Sequence, residues 1–399
     1  MQEQRLSMAS ARLMGQPMFQ ILSKIKEMER QGHDVIHFEI GDPDFDTPEC
    51  VVKAVKQALD EGWTHYSPSA GDYDLRQAVC NSRFFTPKFT PELEQVVIAP
   101  GANPLIYYAV RCLAEPGEEI IIPDPSFSTY QSVLNFAGVN AVRVELREEN
   151  GFQMLARDIE SKITDKTRMI IINSPHNPTG AVIASDELRA IGQMCLDRGI
   201  YLYCDEIYSY LNYTDETFFS PSELDQCKER TIIATGFSKT FAMTGWRLGV
   251  GIGPAALMEK IALLIETTNS CVSSFIQRAG ISAIEEGLKD VIRMRDIYKE
   301  RRNYLVQRLN AIEGIHCIEP KGAFYVFPSI KELGIGGLEF SERLLEEAYV
   351  GVCPGVYFGN YGEGYIRLCY ATSLDKIKTG MDRMERFVND LRSERQEGR

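Results

Sequence analysis

The sequence predicts an α/β protein: a mostly parallel seven-stranded sheet with helices on both faces, followed by a smaller α+β unit. Three observations predict it. Strand and helix periods alternate through the middle of the 399-residue chain, the pattern of strands joined by crossover helices. Several strand candidates are unbroken apolar runs, such as Met169 to Ile172 and Ile120 to Ile122, which suit strands covered on both faces. After about residue 290 the texture changes to a long charged helix and short strands.

The strand candidates are 95–99, 119–122, 141–145, 168–173, 200–205, 231–235 and 248–252. Helical patterns at 105–114, 129–137 and 186–198 separate most of them, the last with Ser185 as its expected N-cap. Beyond them come a helix at 291–311, whose Arg- and Lys-rich part to Leu309 reads as a solvated face, and short strands at 314–319, 323–327 and 364–370. A closing helix starts at Leu374, and 392–399 reads as a solvated tail. The expected division is a large domain over 46–290, with a small domain built from 1–45 and 291–399.

Composition narrows the function classes. Apolar residues are 44% and charged residues 25% of the chain, an ordinary globular balance. Lys plus Arg number 43 against 56 Asp plus Glu, a formal charge of −13. That argues against a general nucleic-acid or anionic-membrane surface. No apolar run approaches a membrane span, and the opening Met1-Gln-Glu-Gln-Arg is not an export signal. The ten cysteines are scattered without a C-x-x-C pair, so reduced thiols in a cytoplasmic protein are expected. The five histidines form no ligand-spaced set, and no metal is expected.

Reaction centres in α/β sheets gather at the carboxyl ends of strands, and five strand ends here carry unusual residues. The first is Asn173-Ser-Pro-His-Asn177-Pro178-Thr-Gly180, either a stiff turn or a turn that aims an Asn amide into a crevice. The second is Asp205-Glu206-Ile207-Tyr208, read as a metal site or a helix-capping carboxylate. In the third, Gly236-Phe237-Ser238-Lys239, a lysine follows a buried strand among small and hydroxyl residues. Desolvation near another cation lowers a lysine's pKa and frees its amine for a Schiff base. Arg247, eight residues on, suits bidentate phosphate binding; an exposed loop lysine is the plain alternative.

The fourth is Ala99-Pro100-Gly101-Ala102-Asn103-Pro104, where free amides open a helix and invite an anion. Phe127, after the next strand, is either core or a stacking platform. The fifth is Arg367, which interrupts a strand and pairs with a carboxylate of the fold or of a substrate. Gly249-Val-Gly251-Ile-Gly253 imitates a dinucleotide loop but lacks the G-x-G-x-x-G spacing and is discounted.

Together these segments resemble the class I/II aminotransferases, pyridoxal-phosphate (PLP) enzymes of fold type I. The resemblance also runs through Gly41-Asp-Pro-Asp-Phe45-Asp-Thr-Pro48, His65-Tyr66-Ser-Pro-Ser-Ala-Gly71, Ser238-Lys239-(x)4-Thr244-Gly-Trp-Arg247, Gly322-Ala-Phe-Tyr325 and Pro354-Gly-Val-Tyr-Phe-Gly359. It implies a homodimer with shared active sites, acting on an amino acid and a 2-oxo acid. Lys239 would hold PLP as a Schiff base and shuttle protons, Asp205 would pair with the pyridinium nitrogen, and Asn177 and Tyr208 would bond the 3′-oxygen. Phe127 would stack on the ring. Gly101, Ala102, Asn103, Ser238, Arg247 and the partner's Tyr66 would make the phosphate site. Arg367, with Asn177 and Gly41, would take the substrate carboxylate.

Two departures stand out. Gly236 replaces a phosphate-binding serine of some members. Asn103 stands where some aspartate-using members have lysine, so a neutral, aromatic or cationic donor is expected in preference to aspartate. A PLP-dependent lyase, decarboxylase or cyclase is the alternative activity. A non-catalytic regulator is disfavoured, because Lys239 and Asp205 are both present.

Overall fold

The computed structural model describes residues 6–214 and 218–397. The predicted sheet is present with all seven strands: β1 (Val96–Ala99), β2 (Glu119–Asp124), β3 (Asn140–Glu145), β4 (Thr167–Asn173), β5 (Tyr201–Asp205), β6 (Thr231–Gly236) and β7 (Gly249–Ile252). Their spatial order is β1-β7-β6-β5-β4-β2-β3. The pairs β6–β5, β5–β4, β4–β2 and β2–β3 are parallel. Strand β7 runs antiparallel to both β1 and β6.

The period of two in the apolar runs serves both faces. Ile120, Ile122, Met169, Ile171 and Tyr203 join the core beneath the helices Asn103–Leu113, Ser128–Ala137 and Ala255–Asn269. Their neighbours Ile121, Ile170, Ile172, Leu202 and Cys204 join the opposite core, against the helix Ser185–Arg198. That helix begins at Ser185 itself, after Ala184, so Ser185 is not the N-cap; Gln153 Oε1 accepts from the Ala184 amide instead.

The later elements build a second core of their own around Phe324, Phe340, Leu368, Ile377 and Met384. The strand Ile36–His37 joins it by pairing in parallel with Val350–Gly351. Ile366–Cys369 pairs with Cys353–Pro354 on one side and Tyr325–Val326 on the other. The strand expected at 314–319 does not form. The Asn310 side chain bonds both the amide and the carbonyl of Cys317, and only His316 is left to bridge to Ser329.

Two surface readings need correction. The helix Leu288–Ala311 is not solvated throughout: Arg301 and Arg302 are buried, Arg301 on Asp44 at 2.7 Å and Arg302 on the Pro320 carbonyl. The segment expected as a solvated tail is solvated, with Ser393, Glu394 and Arg395 exposed, but it is not loose: the helix Leu374–Glu397 continues through it. Arg392 pairs with Glu313, and Arg395 donates to the carbonyls of Leu333 and Gly334; residues 398 and 399 lie outside the described residues. A chain ending at Leu391 loses these bonds and the helical turns that carry them. Its thermal midpoint is expected to fall, by roughly 1 °C for each kcal/mol lost, and an unchanged midpoint in a melting experiment would make this segment a loose tail after all.

Candidate active site

A cavity of about 360 Å³ opens where the parallel strands end. Gly41, Ala102, Asn103, Phe127, Asn177, Asp205, Tyr208, Ser238, Lys239, Arg247 and Arg367 all line it. The reversal of β7 explains Arg247: an antiparallel strand begins at the edge where its neighbours finish, so the residue two before Gly249 arrives beside Lys239. Gly101 lies just behind the wall at φ +93°, a left-handed value that favours glycine. A Cβ there would stand 2.2 Å from an Arg247 guanidinium nitrogen.

Lys239 sits beyond β6 with Nζ 2.5 Å from the Gly41 carbonyl, which accepts its proton. Burial lowers its pKa to about 8, opposed by Asp42 and assisted by Arg247 and Arg367. Asp205 shares the side-chain parity of Tyr203 and faces the helix Ser128–Ala137. Tyr130 donates from there to Asp205 Oδ2 at 2.5 Å, and the Ile207 amide donates to Oδ1 at 3.3 Å. Burial raises Asp205 to about 6 against the pull of these two donors. No helix starts at Asp205, which removes the capping reading. The adjacent Glu206 turns to Ser220 on the other face of the sheet.

Arg367 is 1% exposed, donates to Asn177 Oδ1 and to the Glu39 carbonyl, and lies over the Tyr325 and Phe358 rings. Its Nε has no hydrogen-bond partner. Asn177 is itself placed by Asn173, whose Oδ1 accepts the Asn177 amide while its Nδ2 donates to the Asp205 carbonyl. Pro175 and Pro178 are both cis. Arg247, at φ +54°, donates to the Thr244 carbonyl. Thr244 in turn bonds Asp42, which ties this loop to the 41–48 segment.

Gly236 has a steric reason. A Cβ there would meet the Leu248 carbonyl at 2.8 Å, so a serine does not fit this backbone without movement. Gly41 is similar, with the Tyr325 hydroxyl 2.0 Å from where its Cβ would be. Gly249-Val-Gly251-Ile-Gly253 is strand β7 and its exit, not a nucleotide loop. Besides Gly101, Tyr66 is the predicted residue the cavity does not include; it is 88% exposed. The motif reading missed Tyr130 and Asn173, as well as the apolar wall of Met18, Phe19, Ile40 and Ile106. Tyr130 lies three residues after Phe127, one helical turn on, and that spacing was the available signal.

Among the described residues, Lys239, Arg247, Arg367 and Asp205 make no ion pair. Arg247, Arg367 and Asp205, facing one cavity with the Lys239 amine and without ion-pair partners, match a ligand that brings two anionic groups and one cationic one. A phosphate, a carboxylate and a protonated ring nitrogen meet that requirement, and PLP with an amino acid supplies all three.

Comparison with known proteins agrees. The family model for aminotransferase class I and II matches residues 33–384. An aspartate aminotransferase of Pyrococcus horikoshii is 45% identical, covering 92% of this chain and 94% of its own. An aromatic-amino-acid aminotransferase of Thermococcus litoralis is 40% identical over 92% and 95%. The structure of a Thermus thermophilus aspartate aminotransferase with maleate superposes at a TM-score of 0.92, with 32% identity, over 96% of this chain and all of that one. These relatives favour transamination over the lyase, decarboxylase and cyclase alternatives, and the chain belongs to the class I and II aminotransferases.

Proposed function

We propose that this transaminase uses PLP held by the residues of the cavity and works as a homodimer with shared active sites. The three unpaired cations and the unpaired buried acid carry the proposal. Bound there, PLP supplies an aldehyde that takes up the amino group and a ring that accepts electrons from the substrate's Cα.

The chain's residues supply the rest. Lys239 is the point of attachment and, once released, the base that moves the proton at Cα; a pKa of about 8 suits that task near neutral pH. Asp205 offers its charge to the ring nitrogen, and Tyr130 keeps that charge in place. Asn177 and Tyr208 bond the ring oxygen, with Tyr325 steadying the Tyr208 hydroxyl at 2.8 Å. Phe127, edge-on to Tyr130, is the stacking face. The Ala102 and Asn103 amides, Ser238 and Arg247 hold phosphate at a helix N-terminus. Arg367 takes the substrate carboxylate. The ten free thiols support a reducing, cytoplasmic setting.

The test is a half-reaction screen: purified enzyme mixed with single amino acids and followed by absorbance. Transamination leaves the cofactor in its amine form, which the other chemistries do not. Met18, Phe19, Ile40 and Ile106 beside Asn103 favour an apolar side chain, so L-phenylalanine is expected to outrank L-aspartate in kcat/KM. The reverse ranking refutes the side-chain reading. Lys239→Ala is expected to abolish turnover while the protein still folds, and near wild-type turnover would sink the assignment.

The acid has its own signature. Burial holds Asp205 above its unfolded value, so its charge is lost as pH falls through about 6. PLP affinity of the apoenzyme is expected to weaken there. Tyr130→Phe removes a donor to the charged form and moves that limb to higher pH, whereas the phosphate's own ionisation, near 6, stays. Titration of PLP binding in both proteins checks this; coincident profiles would remove Tyr130 from the acid's control.

Tyr66 stands on a firmly held loop: Ser274 Oγ bonds the carbonyls of Trp63 and His65, and Gln277 bonds Ser67. An anchored backbone under an exposed ring suits a residue that serves the partner's site. Mixing Tyr66→Ala with Lys239→Ala then assembles one complete site per hybrid dimer, and activity is expected to recover. No recovery, under conditions where labelled subunits exchange, would place Tyr66 in its own subunit's chemistry or in none.

A further inference from the structure

Behind Arg367 lies a polar cluster with no part in the reading above. Residues 37–41 run from the strand Ile36–His37 to the cavity wall at Ile40 and Gly41. The Glu39 carbonyl accepts from Arg367, and the Gly41 carbonyl from Lys239. The Glu39 side chain is fully buried, with Oε1 2.9 Å from His37 Nδ1 and Oε2 without a partner. The second ring nitrogen, His37 Nε2, is 3.0 Å from Glu29 Oε1. Glu29 belongs to the helix Met18–Arg30, whose first residues, Met18 and Phe19, line the same cavity.

A carboxylate only accepts hydrogen bonds. An imidazole between two carboxylates satisfies both by donating from both nitrogens, which makes it an imidazolium. A buried carboxylate needs such a compensating charge, and among the described residues His37 is the only cation paired with Glu39. Arg367 reaches the Glu39 carbonyl rather than its carboxylate.

The surroundings hold few other charges. Asp34 and Arg383 pair with each other, Arg383 coming from the helix Leu374–Glu397. The neighbouring strand Val350–Gly351 brings none, and Cys353 beyond it places Sγ on the Glu39 carbonyl.

We propose that His37 and Glu39 are positioning residues for the substrate carboxylate: together they fix the backbone carbonyl that fixes Arg367. Glu29 extends the same clamp to the helix that forms the apolar wall. The proposal rests on Arg367 being the carboxylate site. Proton loss from His37 leaves Glu39 an uncompensated buried anion and releases the segment. Glu39 is the main cause of a His37 pKa raised from 6.5 to about 9. The clamp's contribution is therefore complete below the ordinary histidine value and lost as pH rises through about 9.

The test compares the holoenzyme with Glu39→Gln, which keeps shape and backbone but removes the charge. KM for L-phenylalanine and L-alanine is expected to rise about tenfold with kcat and PLP affinity nearly unchanged, the pattern of lost substrate binding. In NMR titrations the His37 ring of the wild type is expected to titrate near 9, and in Glu39→Gln closer to its free value. Should Glu39→Gln not fold, the half-exposed Glu29→Gln carries the test, with a smaller rise in KM and a lower His37 pKa. An unchanged KM, a parallel fall in kcat, KM performance and PLP affinity, or a wild-type His37 titrating near 6.5 overturns the clamp. Arg367→Gln separates the two ideas. If it raises KM and Glu39→Gln does not, the clamp alone fails; if it leaves KM unchanged, the carboxylate reading fails first.

Discussion

Charges without ion-pair partners are costly to hold away from water, and this chain holds three, Lys239, Asp205 and Arg367, around one cavity, with Arg247 exposed at its edge. Taking a carboxylate or an amine into a protein interior costs several kcal/mol when no opposite charge is supplied. The chain offsets that cost with neutral donors and acceptors in place of ion pairs. Asp205 has the Tyr130 hydroxyl and the Ile207 amide, and Lys239 has the Gly41 carbonyl. Arg367 has the Asn177 amide oxygen, a backbone carbonyl and two ring faces. Each of these keeps a charge in place without neutralising it, so the charge remains available to a ligand. An internal ion pair would stabilise the empty protein and weaken the site.

Such a site needs rigid supports, and glycine supplies the closeness. Gly249, at the start of β7, lies so near the Gly101–Ala102 turn that a Cβ would be 2.4 Å from the Ala102 nitrogen. The turn that offers its amides is thus pressed onto the sheet, and Arg247 enters from the same strand. On the opposite wall Gly41 lets the Tyr325 hydroxyl reach Tyr208 while its carbonyl meets Lys239. These are packing constraints with direct consequences for which polar atoms face the cavity.

Much of this was legible in the sequence because it lay in short-range pattern. Apolar runs gave all seven sheet strands, and the residues at strand ends together with the family motifs gave eleven cavity-lining residues. What stayed hidden depended on direction and on long-range contact. Nothing in Gly249–Ile252 says that the strand runs backwards, yet that reversal brings Arg247 to the site. Tyr130 reads as a helix residue until Asp205 is placed opposite it. Arg301 and Arg302 look solvated by composition, and only the fold supplies Asp44 and the Pro320 carbonyl that receive them. The 314–319 strand failed for a related reason, since an asparagine side chain from another element took the backbone bonds that a ladder would have used.

The acidic pair at the end of β5 shows how finely burial divides neighbouring groups. Asp205 and Glu206 are adjacent, but strand alternation sends them to opposite faces. Asp205 keeps two donors and a pKa of about 6, so it is ionised at neutral pH. Glu206, more strongly desolvated than its single serine donor can offset and repelled by Asp205, is pushed up to about 8 and is mostly protonated. The pair therefore carries about one negative charge at neutral pH, located on the cavity side. Were Glu206 also ionised, two buried anions would oppose each other across one strand, and Asp205 would be driven toward its neutral form. Keeping Glu206 protonated is thus part of what leaves a single, directed charge in the site.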